Sequence, residues 1–251
     1  MSKESVIRKL KDLTGKKNII FTRRCNRSIL AALRYIKLKG FDTIMTQDQG
    51  GWITYSQFAT KLRLKEKRVK TDFGLLKSQN YDFPLIINSM PGYHALEDLS
   101  KISTPFLIND ICGSIGTEQA LFGDIIVCSF GRWKPINLGQ GGFIATNLDT
   151  DFFNEYAVEL DFELLEKKLD TLKDRLEFLH GKCWEVKSDL KKFGVIHPKA
   201  EGLNVIVKFE SEPEKEKLIN YCNEKNLEYE ICPRYIRVND DALSIEIKRL
   251  E

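Results

Sequence analysis

The chain has 251 residues, of which 42% are hydrophobic and 30% charged, with 39 lysine and arginine residues against 36 aspartate and glutamate residues. This apolar content is enough for a buried core, which excludes a disordered or fibrous protein. The formal net charge is +3 and basic residues are interleaved with acidic ones, which argues against a nucleic-acid-binding protein. No apolar run approaches the roughly 18 residues that span a bilayer. The first residues form a charged amphipathic stretch without the apolar core of a signal peptide, so we expect a cytoplasmic protein without a membrane partner.

The cysteines and histidines do not form a metal-binding pattern. Six cysteines are spread over positions 25, 112, 128, 183, 222 and 232 without a CxxC pair, whereas a metal cluster or a disulfide framework has closer spacing. The three histidines, at positions 94, 180 and 197, also lack ligand spacing. We therefore expect reduced thiols and no metal site, with Cys128 and Cys183 as small core residues.

The first two-thirds of the chain alternates short apolar runs with helical patterns, which is typical of βαβ units around a mostly parallel sheet. Segments such as PLIIN, PFLIND and DIIVCSF are apolar throughout, as strands covered by helices on both faces are. The pattern predicts strands at 18–21, 43–46, 85–88, 106–109, 125–130 and 142–146, and helices that include 27–39 and 54–64.

The pattern changes after residue 150. Apolar residues recur every three or four positions from Phe162 to Phe193, which predicts one long helix, ended by Gly194 and Pro198, whose apolar seam packs on its own domain or on a second subunit. The tail predicts a helix at 213–225 and strands at 204–209, 227–231, 235–238 and 243–248. The expected organisation is a large α/β domain (1–158), a connecting helix (159–195) and a small C-terminal α+β domain (196–251).

Two polar segments that follow predicted strands contain residues suited to chemistry. In CSFGRWKPINLGQGG, residues 128–142, Lys134 precedes three glycines. Burial beside a strand end lowers the pKa of a lysine and makes its amine nucleophilic, although the pattern alone also fits a surface lysine before a turn. Asp110 ends the apolar run FLIND, at the sheet edge where α/β proteins bind ligands. A buried aspartate there needs a cation or hydrogen bonds, and otherwise Asp110 caps the next turn.

Two further segments follow strands of the same predicted sheet. Arg24, Cys25 and Asn26 stand between a strand and a helix, where backbone N–H groups either bind phosphate or simply start the helix. Trp52 follows two glycines and either stacks on a planar ligand or belongs to the core. All four segments are expected to face one crevice. Together they supply a phosphate cradle, an aromatic platform, an acid and a lysine, which are the groups that hold pyridoxal 5'-phosphate (PLP).

The sequence resembles the DegT/DnrJ/StrS aminotransferases, the sugar aminotransferases of the fold-type I PLP superfamily. Their signature Ser-Phe-x3-Lys-x4-Gly-x-Gly-Gly is matched without a gap by Ser129, Phe130, Lys134, Gly139, Gly141 and Gly142. Their apolar-x-Asp-x5-Gly pattern is matched by Ile108, Asp110 and Gly116, and residues 88–98 resemble the segment that precedes that strand.

The resemblance implies a PLP-dependent transferase fold and an aminotransferase that uses a small-molecule amine donor and a carbonyl acceptor. It further implies that Lys134 is the Schiff-base lysine and that Asp110 pairs with the pyridine nitrogen. Trp52 would cover the ring, and the phosphate would lie on Ser129 and the Arg24–Cys25–Asn26 turn. A homodimer is also implied. In the small domain, Arg237 is a candidate for pairing with a substrate carboxylate, or else a surface arginine.

The chain departs from this family at several positions. Gly113 stands where the family usually has His or Gln, Gly131 where it usually has His, and a Gly-Tyr-Asn-Tyr-Arg segment is missing. Two alternatives follow. One is a PLP-dependent lyase or desulfurase with sulfur carried by Cys25, Cys112 or Cys232. The other is a degenerate member that acts as a binding or regulatory subunit.

Overall fold

The computed structural model describes residues 3–251, and in its first part strands alternate with helices. The strands of this part are β1 (Asn18–Thr22), β2 (Thr43–Gln47), β3 (Lys65–Val69), β4 (Thr71–Asp72), β5 (Leu75–Leu76), β6 (Leu85–Asn88), β7 (Leu107–Asp110), β8 (Ile125–Ser129) and β9 (Gly142–Thr146). The helices are α1 (Lys3–Thr14), α2 (Cys25–Leu38), α3 (Thr54–Lys61) and α4 (Asp151–Asn154), with short 3₁₀ helices at Pro91–Tyr93, Leu99–Lys101 and Glu118–Leu121.

Seven of these strands form one sheet in the order β1-β9-β8-β7-β6-β2-β3. Strand β9 runs antiparallel to β1 and β8, and the other neighbours are parallel. Every residue of β6, β7 and β9 is buried, as the unbroken apolar runs predict for strands covered on both faces. The predicted α/β class with a mostly parallel, helix-flanked sheet is therefore confirmed.

The second part of the chain contains α5 (Phe162–Asp170), α6 (Leu172–Asp189), β10 (Gly194–Val195), β11 (Val205–Lys208), α7 (Glu212–Glu224), β12 (Tyr229–Ile231), β13 (Ala242–Ile245) and a 3₁₀ helix at Ile247–Arg249. Its four strands form an antiparallel sheet in the order β10-β11-β13-β12. One hydrophobic core includes residues of both parts, from Val6 and Ile144 to Leu179, Leu243 and Ile247. Among residues 3–251, no helix is both long and apolar enough to cross a membrane.

The single long helix predicted after residue 161 is two helices, α5 and α6, separated at Thr171. The Thr171 hydroxyl donates to the carbonyls of Lys167 and Lys168, and such bonds back to the preceding turn bend a helix. The predicted apolar seam is nevertheless buried within the chain, from Leu165 through Val186 to Leu190. Gly194, expected only to stop the helix, begins β10.

Two predicted strands of the tail are wrong in whole or in part. Residues 235–238 form a loop closed by the Arg234 N–H, which donates to the Val238 carbonyl, instead of a strand. Strand β13 ends at Ile245, and a 3₁₀ helix follows where the alternating pattern predicted a strand to residue 248. That alternation is typical of a half-solvated strand, but here Glu246 and Lys248 are buried because they form an ion pair. Strand β3 carries no apolar pattern in the sequence and was not expected, because it is an edge strand with the charged sequence KEKRV.

Candidate active site

All the residues assigned to the site from the sequence line one cavity of about 310 Å³. It lies where four strands of the seven-stranded sheet end, because Arg24 follows β1, Trp52 follows β2, Asp110 ends β7 and Ser129 ends β8. The fold thereby brings together Arg24, Cys25, Asn26, Trp52, Asp110, Ser129, Lys134 and Arg237.

Asp110 is buried, with 3% of its surface exposed. One carboxylate oxygen accepts a hydrogen bond from the Tyr55 hydroxyl at 2.6 Å, and the other accepts from the Cys112 N–H at 3.0 Å. Burial raises the pKa of this carboxyl well above its ordinary value. Among residues 3–251, no lysine or arginine forms an ion pair with Asp110. The carboxyl is therefore a buried acid with hydrogen-bond donors but without a cation of the protein itself.

Lys134 is half-buried and donates a hydrogen bond to the Tyr93 hydroxyl. Its Nζ lies 4.6 Å from the centre of the Tyr93 ring and 5.6 Å from that of Trp52. Burial lowers the pKa of the ammonium, but Tyr93, Cys112 and Asp110 favour the charged form, and their combined effect raises the pKa above its ordinary value. The expectation that burial alone makes this amine nucleophilic is therefore wrong for the protein without a cofactor.

Tyr93 is a site residue that the sequence analysis missed. It follows Gly92 in the 3₁₀ helix after β6, and burial raises the pKa of its phenol, so the hydroxyl is neutral. Its ring explains the departure at Gly113, since a Cβ there would lie 3.0 Å from the Tyr93 ring and 2.9 Å from the Met90 Cβ. Tyr93 thus occupies the space that a side chain at position 113 would need. Its sequence signals were its position in the loop after a buried strand and its place in the segment that resembles the family's.

The start of α2 faces the cavity without a capping side chain. Arg24 is the N-cap residue but makes no side-chain capping bond, and the first turn contains no acidic residue. Gly142 allows β9 to approach this turn, because a Cβ at that position would lie 2.8 Å from the Cys25 nitrogen. Beside it, the Trp52 indole N–H donates to the Asn26 side-chain oxygen at 2.9 Å. The Ser129 hydroxyl accepts a bond from the Gly131 N–H at 3.0 Å.

All six cysteines are buried and free, and two of them, Cys25 and Cys112, line the cavity. Their sulfur atoms are 3.8 Å apart, and the Ser129 N–H donates to the Cys112 sulfur at 3.1 Å. Burial raises the pKa of the Cys112 thiol, but hydrogen bonds from Cys128 and Cys25 together with the Lys134 charge outweigh it and lower the pKa overall. Cys232 lies in a separate small hydrophobic cluster.

Arg237 is not a surface residue, since 5% of it is exposed. Its Nε and one terminal nitrogen donate to the two carboxylate oxygens of Glu246, at 2.8 and 2.7 Å. Lys248 donates to the same carboxylate at 2.6 Å, and Ser244 and Asn204 add two further bonds. These cations lower the pKa of Glu246 although burial alone would raise it. The Arg237 guanidinium is therefore already paired with a carboxylate of the chain, whereas the sequence analysis considered a substrate carboxylate as its partner.

Comparisons with known proteins support the fold more strongly than they support a family. Residues 169–251, less than half of the chain, match the MJ1341 family C-terminal domain. No curated protein matches the sequence.

Three solved structures are similar in fold. DndA from Streptomyces lividans superimposes with a TM-score of 0.72 at 11% identity, over 97% of this chain and 88% of DndA. A DegT DnrJ EryC1 StrS aminotransferase from Brucella abortus gives 0.70 at 14% identity, over 97% and 84% of the two chains. The E. coli GDP-4-keto-6-deoxy-D-mannose-3-dehydratase with bound hydrated PLP gives 0.70 at 14% identity, over 98% and 88%. This chain has the same PLP-transferase-like fold.

Proposed function

We propose that the protein is a PLP-dependent enzyme of the aminotransferase type, in which Lys134 carries the cofactor. The observation that supports this most is that one cavity contains a lysine amine, a buried acid without a cation and the uncapped start of a helix. These groups suit the aldehyde, the ring nitrogen and the phosphate of PLP. The proteins of the same fold include an aminotransferase and an enzyme with bound PLP.

The phosphate end of the cavity fits the cofactor by its donors. Helix α2 presents the positive end of its dipole there, without a carboxylate in the first turn to oppose an anion. The backbone at Cys25 and Asn26 and the Ser129 hydroxyl line the same space. These groups would hold the phosphate.

Asp110 suits a protonated ring nitrogen. Asp110 has a raised pKa because its burial is not offset by a cation, so an N–H⁺ group brought beside it would restore the charged carboxylate. The Tyr55 hydroxyl and the Cys112 N–H each donate a hydrogen bond to the carboxylate and so fix its orientation. Trp52, fixed by its bond to Asn26, would cover one face of the ring.

When bound, PLP supplies an aldehyde that condenses with amines and a protonated ring that withdraws electrons from the attached carbon. Residues of the chain would take up and release the protons. Lys134 must lose a proton from Nζ before its amine reacts, and the neutral Tyr93 hydroxyl is the hydrogen-bond acceptor in contact with that nitrogen. Tyr93 would hold Nζ in position, and Lys134 would later move protons at the substrate carbon.

The proposed reaction transfers an amino group from a small-molecule amine donor to a carbonyl acceptor, either a sugar or a small keto compound. We propose further that the enzyme works as a homodimer, which sedimentation or light scattering would test. A molar mass equal to that of one chain would contradict the dimer without touching the cofactor proposal.

The decisive test of the cofactor proposal is a covalent trap. Protein incubated with PLP is expected to become yellow, and after borohydride reduction mass spectrometry is expected to find the cofactor on the peptide that contains Lys134. The variant Lys134→Ala should stay colourless, whereas Lys173→Ala, which removes an exposed lysine of α6, should behave as the wild type. Wild-type protein that remains colourless and unlabelled would overturn the proposal.

A second candidate, a PLP-dependent lyase or desulfurase, is favoured by one observation. Cys112 lines the cavity with a lowered pKa, so its thiolate would be available as a sulfur nucleophile. Sulfur taken from cysteine would form a persulfide on Cys112, and an added thiol reductant would release it as sulfide. Sulfide release under these conditions that is lost in Cys112→Ser would favour this reaction. Amine transfer without sulfide release would reject it. A regulatory subunit, the remaining alternative, would require Lys134→Ala to retain full biological activity.

A further inference from the structure

A second cavity of about 280 Å³ adjoins the first. The two cavities share five lining residues: Trp52, Tyr93, Lys134, Ile236 and Arg237. A molecule that extends from Lys134 past Tyr93 therefore enters this second space, which we call the basic chamber. Its other walls are the loop residues Arg132 and Trp133, together with Glu230, Arg234, Lys248 and Arg249.

The basic chamber carries an excess of positive charge. Six of its lining side chains are lysines or arginines, and one, Glu230, is a carboxylate. Two further carboxylates, Glu228 and Glu246, pair with these cations from outside the lining. Six basic side chains are therefore balanced by only three acidic ones, which leaves a net positive charge. The space is partly enclosed, and its low dielectric strengthens the attraction for an anion.

Some of these cations have hydrogen-bonding capacity left. Arg132 is exposed at the mouth and forms no ion pair with a carboxylate in the described part of the chain. Lys248 is buried and uses one N–H on Glu246, which leaves two donors. Arg249 already pairs with Glu228 and Glu230, at 2.6 Å each, and its Nε lies 3.5 Å from Glu246, so it adds positive charge to the chamber more than free donors. Arg237, by contrast, has both its Nε and a terminal nitrogen on Glu246.

Trp133 fixes the geometry of the loop wall. The guanidinium groups of Arg132 and Arg249 lie 4.7 and 4.6 Å from the centre of its ring. The residue has a positive φ of 62°, which is unusual for tryptophan, and its N–H donates to the Asn137 side-chain oxygen at 2.9 Å. These cation–π contacts restrict the motion of both guanidinium groups, which lowers the entropic cost of binding an anion.

We propose that the basic chamber binds a group with two or more negative charges, a phosphate or a second carboxylate, on the substrate whose reacting carbon faces Lys134. Arg132, Lys248 and Arg249 are the residues that recognise it, and Arg237 holds Glu246 in place beneath them. This inference rests on the proposed function for the identity of the reacting end. The anion site itself is a property of the chain and is present with or without PLP.

Isothermal titration calorimetry with two simple probes, inorganic pyrophosphate and glutarate, tests the site on the full chain. Each titration is made with PLP-saturated protein and with PLP-free protein that carries Ser129→Ala, which weakens phosphate binding at the cofactor end. At least one probe is expected to bind, more weakly at high salt. Arg132→Gln and Lys248→Met should each weaken binding about tenfold, which is the effect of losing one charge-assisted hydrogen bond. Arg8→Gln, on the exposed face of α1, is the matched control and should bind as the wild type.

The outcomes separate the possibilities. Binding of pyrophosphate alone supports a phosphorylated substrate, and binding of glutarate alone supports a dicarboxylate. Because Arg132 is exposed, Arg132→Gln is expected to fold as the wild type does. The binding measured with this variant therefore tests the proposal even if Lys248→Met is unstable. If neither probe binds, or if both bind Arg132→Gln as tightly as wild type, the proposal is wrong. Failure to take up PLP, with anion binding intact in the PLP-free protein, would overturn the proposed function and leave this site standing.

Discussion

Two buried carboxylates, Asp110 in the lining of the cavity and Glu246 behind the lining residue Arg237, have surroundings that differ in one respect. Asp110 has two hydrogen-bond donors and, within residues 3–251, no ion pair with a cation, and its pKa is raised. Glu246 is buried as deeply but accepts bonds from Arg237 and Lys248, and its pKa is lowered. Burial raises the pKa of an acid unless cations compensate it. The charge of Glu246 is therefore compensated by residues of the chain, whereas that of Asp110 would be compensated only by a cation from outside. The protonated ring of the proposed cofactor would be such a cation.

The largest effect is expected at Glu246. The variant Glu246→Gln leaves Arg237 and Lys248 buried without an anion, and breaking a buried pair in this way costs about 3–5 kcal/mol. Because the pKa of Glu246 is lowered in the folded state, its stabilisation is present above its unfolded value of 4.5 and is lost as the pH falls below that. Urea unfolding at pH 7 measures the loss. Glu163→Gln, in an exposed pair on α5, should unfold as the wild type does.

Lys248 is expected to make the stability of the protein depend on pH at alkaline pH. Burial, together with the charges of Arg237 and Lys134, outweighs the attraction of Glu246 and lowers the pKa of Lys248 from 10.5 to about 8. Between these values the unfolded chain binds more protons at Lys248, so this residue contributes a rise with pH of on the order of 3 kcal/mol to the free energy of unfolding.

Buried thiols with raised pKa values, such as Cys183 and Cys222, lower the free energy of unfolding over the same range in every variant, so the contribution of Lys248 is read as the difference between wild type and Lys248→Met. That difference should grow between pH 8 and 10, whereas the exposed Lys192→Met should follow the wild type. Parallel profiles of wild type and Lys248→Met would show that Lys248 keeps its ordinary pKa.

Asp110→Asn should have opposite effects in the two forms of the protein. Without PLP the folded pKa of Asp110 is raised, so wild-type stability falls as the pH rises above the unfolded value of 3.8, and the variant should lack this fall. With PLP the variant loses a charged hydrogen bond to the ring, so we expect retention of the cofactor to weaken about 10- to 100-fold. Unfolding curves and dialysis of PLP measure the two effects. Equal cofactor retention would place the ring nitrogen elsewhere.

The smallest effect is expected for Tyr55→Phe. It removes one hydrogen bond from Asp110 and leaves a neighbour of the same shape, at a cost of about 1 kcal/mol. The bond lowers the pKa of Asp110, so its loss should raise that pKa further. Tyr81→Phe, whose hydroxyl bonds the Ser78 carbonyl at the surface, is the control. If Tyr55→Phe lowered the free energy of unfolding as much as Glu246→Gln does, Tyr55 would have a larger role than orienting Asp110.

The sequence predicted the sheet and the lysine loop because each carries a local signal. Unbroken apolar runs identify buried strands such as β6 and β7. The glycines after Lys134 identify a loop at a strand end, and Gly142 is indeed required where β9 meets the start of α2. Asp110 was found because it ends one of those strands. The convergence of these segments on one cavity followed from the rule that parallel strands end at the same edge.

Tyr93, Tyr55 and the Glu246 cluster could not be found in this way. Tyr93 reaches Lys134 across 41 positions of the chain, and Tyr55 reaches Asp110 across 55. Glu246 and Lys248 looked like the solvated face of a strand, because alternation reports where polar side chains stand and not whether opposite charges meet there. The raised pKa of Lys134 likewise depends on neighbours that only folding assembles.

The amino-acid sequence by itself therefore determined the α/β class, most strand ends and the position of Lys134 and Asp110 beside such ends, since these depend on apolar periodicity and on residues close together in the chain. The tertiary structure decided which charges are compensated. It paired Arg237 with Glu246, left Asp110 without an ion pair among residues 3–251 and placed five other basic side chains beside Lys134. Electrostatic energies depend on distance and burial in space, and neither quantity is written in the order of the residues.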